Sequence, residues 1–258
     1  MVALEAVAGA NTAGITLVEL AARCGMPAGS THRVIQTLLD SGLIARRSDL
    51  SKEYVLADRL FRLVQTATDS RIIGSAVQGT LDQLAAEVGE TCFVARLIDR
   101  RIVSVAWATP ESGLRTKVYP GDVLPAHAAA SAKAILAHQD EAASRDILGP
   151  APEQLTPRTR TDWRLITEEY AGIRDRGIAT CWDEMDLGLS AIAVPIVLSS
   201  GQIHFSLGLT GLTPRIRRFD LDAARNTLES RAKALSSIIQ TAAYGRGKGP
   251  GGAEVNRR

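Results

Sequence analysis

Three cysteines in 258 residues, Cys24, Cys92 and Cys181, are too few, too far apart and odd in number for a disulfide framework, so they read as reduced, mostly core thiols. No apolar run is long enough to span a bilayer, which excludes a membrane-spanning helix. The start, MVALEAVAGANTAG, has neither the positive charge nor the sustained apolar core of a secretory signal, and the expectation is a cytoplasmic protein. Charge of one sign is also missing. The formal net charge is +2, and residues 1–57 carry five bases (Arg23, Arg33, Arg46, Arg47, Lys52) against five acids (Glu5, Glu19, Asp40, Asp49, Glu53). A nucleic-acid role must therefore rest on where the bases sit, since phosphates are met by local charge and not by a basic average. His32, His127, His138 and His204 stand apart from cysteine or carboxylate partners at ligand spacing, so neither a metal site nor any other cofactor is expected.

What is present is ordinary globular composition, 45% hydrophobic and 22% charged, in a chain long enough for two modest domains. From Ile15 the chain reads ITLVELAARCGMPAGSTHRVIQTLLDSGLIARRSDLSKEYVLA. Thr16 caps a first helix with Leu17, Leu20 and Ala21 on one face, and Gly25 breaks it. A second helix is expected over Ala28 to Asp40, with Val34, Ile35, Leu38 and Leu39 as its buried stripe and Gly42 after its last turn. Helix, glycine turn, helix is the arrangement of DNA readers. Ser30, Thr31, Arg33, Gln36 and Thr37 lie off the stripe, where hydroxyls hold phosphates and Arg and Gln make bidentate base contacts. His32 either touches DNA or packs at the helix edge. LIARR and EYVLA then read as a hairpin, a wing carrying Arg46, Arg47 and Lys52 near its tip.

A helical connector follows, with stripes at Leu60, Leu63, Val64 and Ala67 and, after a polar break at Thr68 to Ser70, at Ile73, Val77, Leu81, Leu84 and Val88. Its apolar positions make it a natural place for dimer contacts. Beyond Gly89 the pattern turns to strands. CFVARLIDRRIVSVAWA and LSAIAVPIVLSSGQIHFSLGLTG each read as an antiparallel hairpin, the first turning at Asp99-Arg100. A helix capped by Thr161 runs through Ile166, Tyr170 and Ile173 to Gly177, and a last helix covers about Leu221 to Gln240. The expected organisation is α+β: residues 1–57 a winged helix-turn-helix, 58–70 a helical linker, 71–242 a domain of helices on an antiparallel sheet, and 243–258 a glycine-rich tail expected to be disordered.

LPAHAAASAKAILA, residues 124–137, sets a histidine, a serine and a lysine among alanines. As an acyl-transfer enzyme the chain would use Ser131 as nucleophile with His127 or Lys133 as base. No nucleophile elbow, third orienting acid or oxyanion-type glycine turn accompanies them, so an enzyme is not expected. Lys133 reads as a surface or fold-supporting residue. Small side chains at Ala128 to Ala130 let a ligand approach the backbone, and amides at a helix start can hold an anionic group.

Taken with the winged helix and connector, this element and TPRTRTDWRLITEEYAGIRDRGIATCWDEMDLGLSAIAVPI resemble the IclR family of bacterial transcriptional regulators. The shared features are the proline-histidine-small-Lys-Ala-x-Leu-Ala element, the threonine-rich helix start, the Gly-x-Ala strand, the acidic pair Asp183-Glu184 and the Ala-x-Pro-Ile strand. The resemblance implies a one-component regulator: a winged domain on double-stranded operator DNA and a GAF-like domain that senses a small molecule, often an organic acid or aromatic catabolite. It implies homo-oligomers too, dimers or dimers of dimers, without saying whether the outcome is repression or activation. The family's ligand-contacting positions fall on Leu124, Ala130, Ser131, Cys181, Ala191, Gly208 and Thr210. Cys181 replaces an acidic residue, Ala191 a cysteine and Gly208 a serine of members that bind two- or three-carbon keto acids, and Ala132 replaces the glycine before the lysine. A less polar or bulkier effector is therefore expected. Only residues 1–14 precede Ile15, where family members carry a full first helix, so MVALEAVAGA reads either as a shortened one or as the result of a mis-set start codon.

Overall fold

The computed structural model describes residues 2–10, 13–48, 51–57, 60, 70–111 and 119–244. The chain divides into two compact units, Met1–Ala67 and Thr68–Arg258.

In the first unit, α1 (Val2–Ala8) buries Ala3 and Val7, so the opening segment does form a helix. α2 (Leu17–Cys24) begins at a reciprocal cap: the Glu19 amide donates to Thr16 Oγ1 (3.4 Å) and the Thr16 amide donates to Glu19 Oε2 (2.9 Å). Gly25, at φ 63°, ends it in the left-handed region. α3 (Ala28–Asp40) follows Pro27. A short sheet of β1 (Ile15–Thr16), β3 (Glu53–Leu56) and β2 (Ile44–Arg46), in that spatial order, completes the unit. The wing thus has a third strand, β1, which is too short to announce itself by alternation. Val7, Ile15, Leu20, Ile35, Ile44 and Tyr54 meet in the core. Each such side chain contributes on the order of 1.5–3 kcal/mol by leaving water.

Thr31 corrects the sequence reading. It is fully buried and its Oγ1 donates to the Pro27 carbonyl at 3.1 Å. Position 31 is one turn before Ile35, so it extends the buried stripe; a hydroxyl satisfied within its own helix can be buried at little cost. The connector proposed over residues 58–70 lies almost wholly outside the described residues.

The second unit is built on six described strands, β4 (Thr91–Ile98), β5 (Arg101–Ala108), β6 (Val123–Leu124), β7 (Ala179–Trp182), β8 (Leu189–Val197) and β9 (Ile203–Leu212). They lie in the order β6-β5-β4-β9-β8-β7, every neighbour antiparallel. Asp99 and Arg100, at φ 44° and 66°, turn β4 into β5 through the backbone region that two-residue hairpins require. On one face, α4 (Ser70–Val88) and α9 (Leu221–Tyr244) cover Val94, Ile192, Val194, Phe205 and Leu207. On the other lie α5 (Ala130–Leu136) and α7 (Trp163–Arg176), over Phe93, Ala95, Ala179, Cys181, Ala191 and Ala193. Two further helices are α6 (Glu141–Leu148) and α8 (Thr213–Ile216).

Two local expectations need correction. The cap of α7 is Asp162, not Thr161: its carboxylate accepts from the Arg164 amide at 2.7 Å, a charge-assisted bond that a hydroxyl one residue earlier cannot match. Residues Ala243 and Tyr244, assigned to the tail, still belong to α9; residues 245–258 lie outside the described part. Cys92 and Cys181 are buried free thiols and Cys24 is half-buried.

Candidate functional site

The first candidate surface is on the winged unit. His32, Arg33 and Gln36 are exposed along α3, and Ser30 is half-buried in its first turn. Gln36 donates to Asp40 Oδ1 at 3.2 Å, one turn on. Arg46, Arg47 and Lys52 are all exposed at the wing. The Arg46 guanidinium lies 5.7 Å from the Tyr54 ring centroid and donates to the Ser51 carbonyl at 3.2 Å, which aims it along the hairpin. Arg47 pairs with Glu53 at 3.2 Å. The Glu53 carboxyl is held below the usual range, first by the hydrogen bond from Ser51 and then by Arg47. An exposed pair of this kind contributes little, so a phosphate can displace Glu53 from Arg47.

The second candidate is a cavity of about 300 Å³ on the α5 face of the large sheet. Leu124, Ala130, Ser131, Cys181, Ala191 and Thr210 line it, together with Phe93, Val123, Met185 and Leu189. Ser131, in the first turn of α5, is fully buried and its Oγ has no hydrogen-bond partner among the described residues. A buried hydroxyl without a partner costs about 1–3 kcal/mol, which a bound molecule can recover. Thr210 donates instead to the Ser190 carbonyl at 3.1 Å. Burial pushes the Cys181 thiol up, so it faces the cavity as a neutral group. Asp122 and Asp186, both exposed, are also among the lining residues. Gly208 does not reach the cavity: a Cβ built there would stand 2.9 Å from Phe93 Cζ, and the Phe93 ring covers it.

The wall is held by a buried ionic cluster. Lys133, fully buried, donates to both oxygens of Glu184 (2.8 and 2.9 Å) and to Glu169 Oε1 (2.9 Å), while Arg160 pairs with Glu169 Oε2 at 2.7 Å. Lys133 thus supports the fold and is not at the surface. The neighbouring Asp183, at φ 58°, accepts from Thr213 Oγ1 (2.5 Å) and the Gly188 amide (2.9 Å), which, with Arg158, hold its carboxyl below the usual range. Thr156 and Thr159 donate to the carbonyls of Asp183 and Glu184 at 2.8 and 2.7 Å. The threonine-rich run before α7 therefore clamps the turn that carries Met185, Asp186 and Leu189 to the cavity. In the sequence its only trace is the repeated threonine, whose acceptors lie some 25 residues on. His127 is joined through Nε2 to the Glu153 carbonyl at 2.8 Å.

Comparison with known proteins agrees with this layout. A family model described as the bacterial transcriptional regulator IclR C-terminal matches residues 65–237, and one described as the IclR helix-turn-helix domain matches residues 2–48. The chain is 26% identical over 235 residues to the DNA-binding transcriptional repressor YiaJ of Escherichia coli, covering 88% of this chain and 81% of that protein. It is 25% identical over 233 residues to the p-hydroxybenzoate hydroxylase transcriptional activator of Acinetobacter baylyi, covering 87% and 84%. Among solved structures, the inducer-binding domain of a PobR double mutant from Acinetobacter, in complex with 3-hydroxybenzoic acid, superposes with a TM-score of 0.56 at 26% identity, over 63% of this chain and 97% of that one.

Proposed function

The chain belongs to the IclR family of bacterial transcriptional regulators, and from that premise we propose that its α5-face cavity binds a small, mainly apolar effector whose presence alters operator affinity. The observation that carries this reading is the Ser131 hydroxyl, without a partner among the described residues and buried in the wall of an otherwise largely apolar cavity. One hydrogen-bonding group and an apolar body satisfy such a wall. Asp122 and Asp186 disfavour an acid of two or three carbons, for which charge is a large share of the surface. The hydroxybenzoic acid bound by the PobR domain supports an aromatic body. Calorimetry with glyoxylate should show no tight binding; tight binding would overturn the assignment.

On the DNA side, His32, Arg33 and Gln36 of α3 enter the major groove, and Arg46, Arg47 and Lys52 meet the backbone or the adjacent minor groove, with Ser30 near a phosphate. Residues 58–70 link the two units, so that effector binding biases the placement of paired winged domains in a dimer or dimer of dimers. The action belongs in the cytoplasm, beside the DNA; among the described residues no helix is long and apolar enough to cross a membrane. Commitment of His127 to the Glu153 carbonyl and of Lys133 to two carboxylates supports a binding wall over an acyl-transfer centre at Ser131. Arg33→Ala should weaken binding to a selected operator fragment by about 1–3 kcal/mol and leave effector affinity unchanged. Unaltered operator binding would remove α3 from the interface.

A further inference from the structure

We propose that Phe93 sets the size of effector the cavity accepts, and that a glycine at 208 is what allows it to do so. This rests on the cavity being the effector site. The register of the sheet places Ala179, Ala193, Gly208, Phe93 and Trp107 in one row across five strands. The next row on the same face is Cys181, Ala191, Thr210 and Thr91. Three small residues at one end of the first row leave the sheet unfilled there, and Phe93 is the large side chain beside that space. Its ring fills it: an added Cβ at 208 would lie 2.9 Å from Phe93 Cζ and 3.1 Å from Cε1, with the Ile192 carbonyl oxygen at 3.3 Å on another side. The backbone oxygen is fixed by sheet pairing, so the ring is the group that must yield to a side chain at 208. Phe93 is only 4% exposed and already lines the cavity. Displaced from Gly208, its ring takes volume from the ligand.

The pair therefore works as a depth stop. With glycine at 208 the ring lies down on the sheet and the cavity keeps its about 300 Å³. With any larger residue at 208 the ring rises and shortens it. With a smaller residue at 93 the space over Gly208 joins the cavity and longer molecules fit.

The test compares the full-length wild type with Gly208→Ala, Phe93→Ala and Phe93→Leu, the last standing in should Phe93→Ala fail to fold by circular dichroism. Crystals pressurised with xenon locate the free volume without knowledge of the effector. Xenon should sit beside Cys181 and Ala191 in the wild type, gain a site over Gly208 when Phe93 is shortened, and lose occupancy in Gly208→Ala. Identical xenon sites in all four proteins would overturn the inference. Calorimetry with 3-hydroxybenzoate and the longer 3-(3-hydroxyphenyl)propionate reads the consequence. Shortening Phe93 should raise the preference for the longer acid about tenfold or more, and Gly208→Ala should weaken both acids and the longer one more. Both acids binding with an unchanged ratio would also overturn it. If neither acid binds any of the proteins while xenon moves as stated, the depth stop stands and the aromatic effector class falls.

Discussion

The two faces of the six-stranded sheet are built on opposite packing rules. Under α4 and α9, large aliphatic side chains from helix and strand meet: Leu81, Leu84, Leu228 and Leu235 against Ile192, Val194 and Leu207. Large groups from both layers interdigitate and close the space. Under α5 and α7 small residues are concentrated, Ala130 and Ala134 on α5 and Ala191 and Ala193 on the sheet, beside Ile135, Ile166, Tyr170 and Ile173, and the cavity lies there. Alanine upon alanine does not hold two layers at a fixed distance by itself. The ionic cluster of Lys133 with Glu184 and Glu169 takes that role, tying α5 to α7 and to the turn after β7. One face thus stabilises the unit through apolar contact, and the other keeps room for a ligand with buried charge as its brace.

Three experiments can break this contrast, and the brace should give the largest effect. Lys133→Met leaves Glu184 buried without its cation and Glu169 with Arg160 alone, and should cost about 3–5 kcal/mol in chemical denaturation of the second unit. A loss below about 1 kcal/mol would mean that alanine packing alone supports the wall. Next in size, Leu81→Ala on the closed face should cost about 2–5 kcal/mol through its new void. Ala191→Val on the open face should stay under the about 1–3 kcal/mol of overpacking a filled core, because its methyls enter existing space, while effector binding is lost. Equal costs would erase the distinction between the faces.

The smallest effect concerns pH. Thr213, the Gly188 amide and Arg158 hold the Asp183 carboxyl below its unfolded value. Its contribution is therefore complete above the unfolded pKa of about 3.9 and is lost as pH falls through the folded value. In Thr213→Val the stability deficit relative to the wild type should therefore be full at pH 7 and shrink as pH falls from 6 to 2, followed by chemical denaturation at each pH. A deficit of constant size from pH 6 to 2 would show that Thr213 does not act through the Asp183 carboxylate.

Much of the framework is legible in the amino-acid sequence. The periodicity of Val34, Ile35, Leu38 and Leu39 marks α3, the Thr16–Glu19 spacing marks a capping box, and alternation around Asp99-Arg100 marks the first hairpin. Of the seven effector contacts that the family resemblance implies, six line one cavity, Gly208 being the exception. Phe93 escapes a reading of the sequence because nothing local distinguishes it from any other strand phenylalanine; its meaning lies in pairing with Gly208, more than a hundred positions away. Thr31 is misplaced by the same reading because a polar residue on a helix counts as exposed unless its own hydrogen bond to Pro27 is known.

Helix starts and stops, hairpin turns and the apolar stripes depend on neighbours within a few positions, and the chain alone dictates them. Only the tertiary fold decides which member of the histidine, serine and lysine set around Ala128 lines the cavity without a partner among the described residues. His127 and Lys133 find partners 26 and 51 residues away and are committed to them, whereas Ser131 finds none among the described residues. Burial and pairing are relations between distant segments, and their energies exist only once the chain has brought those segments together.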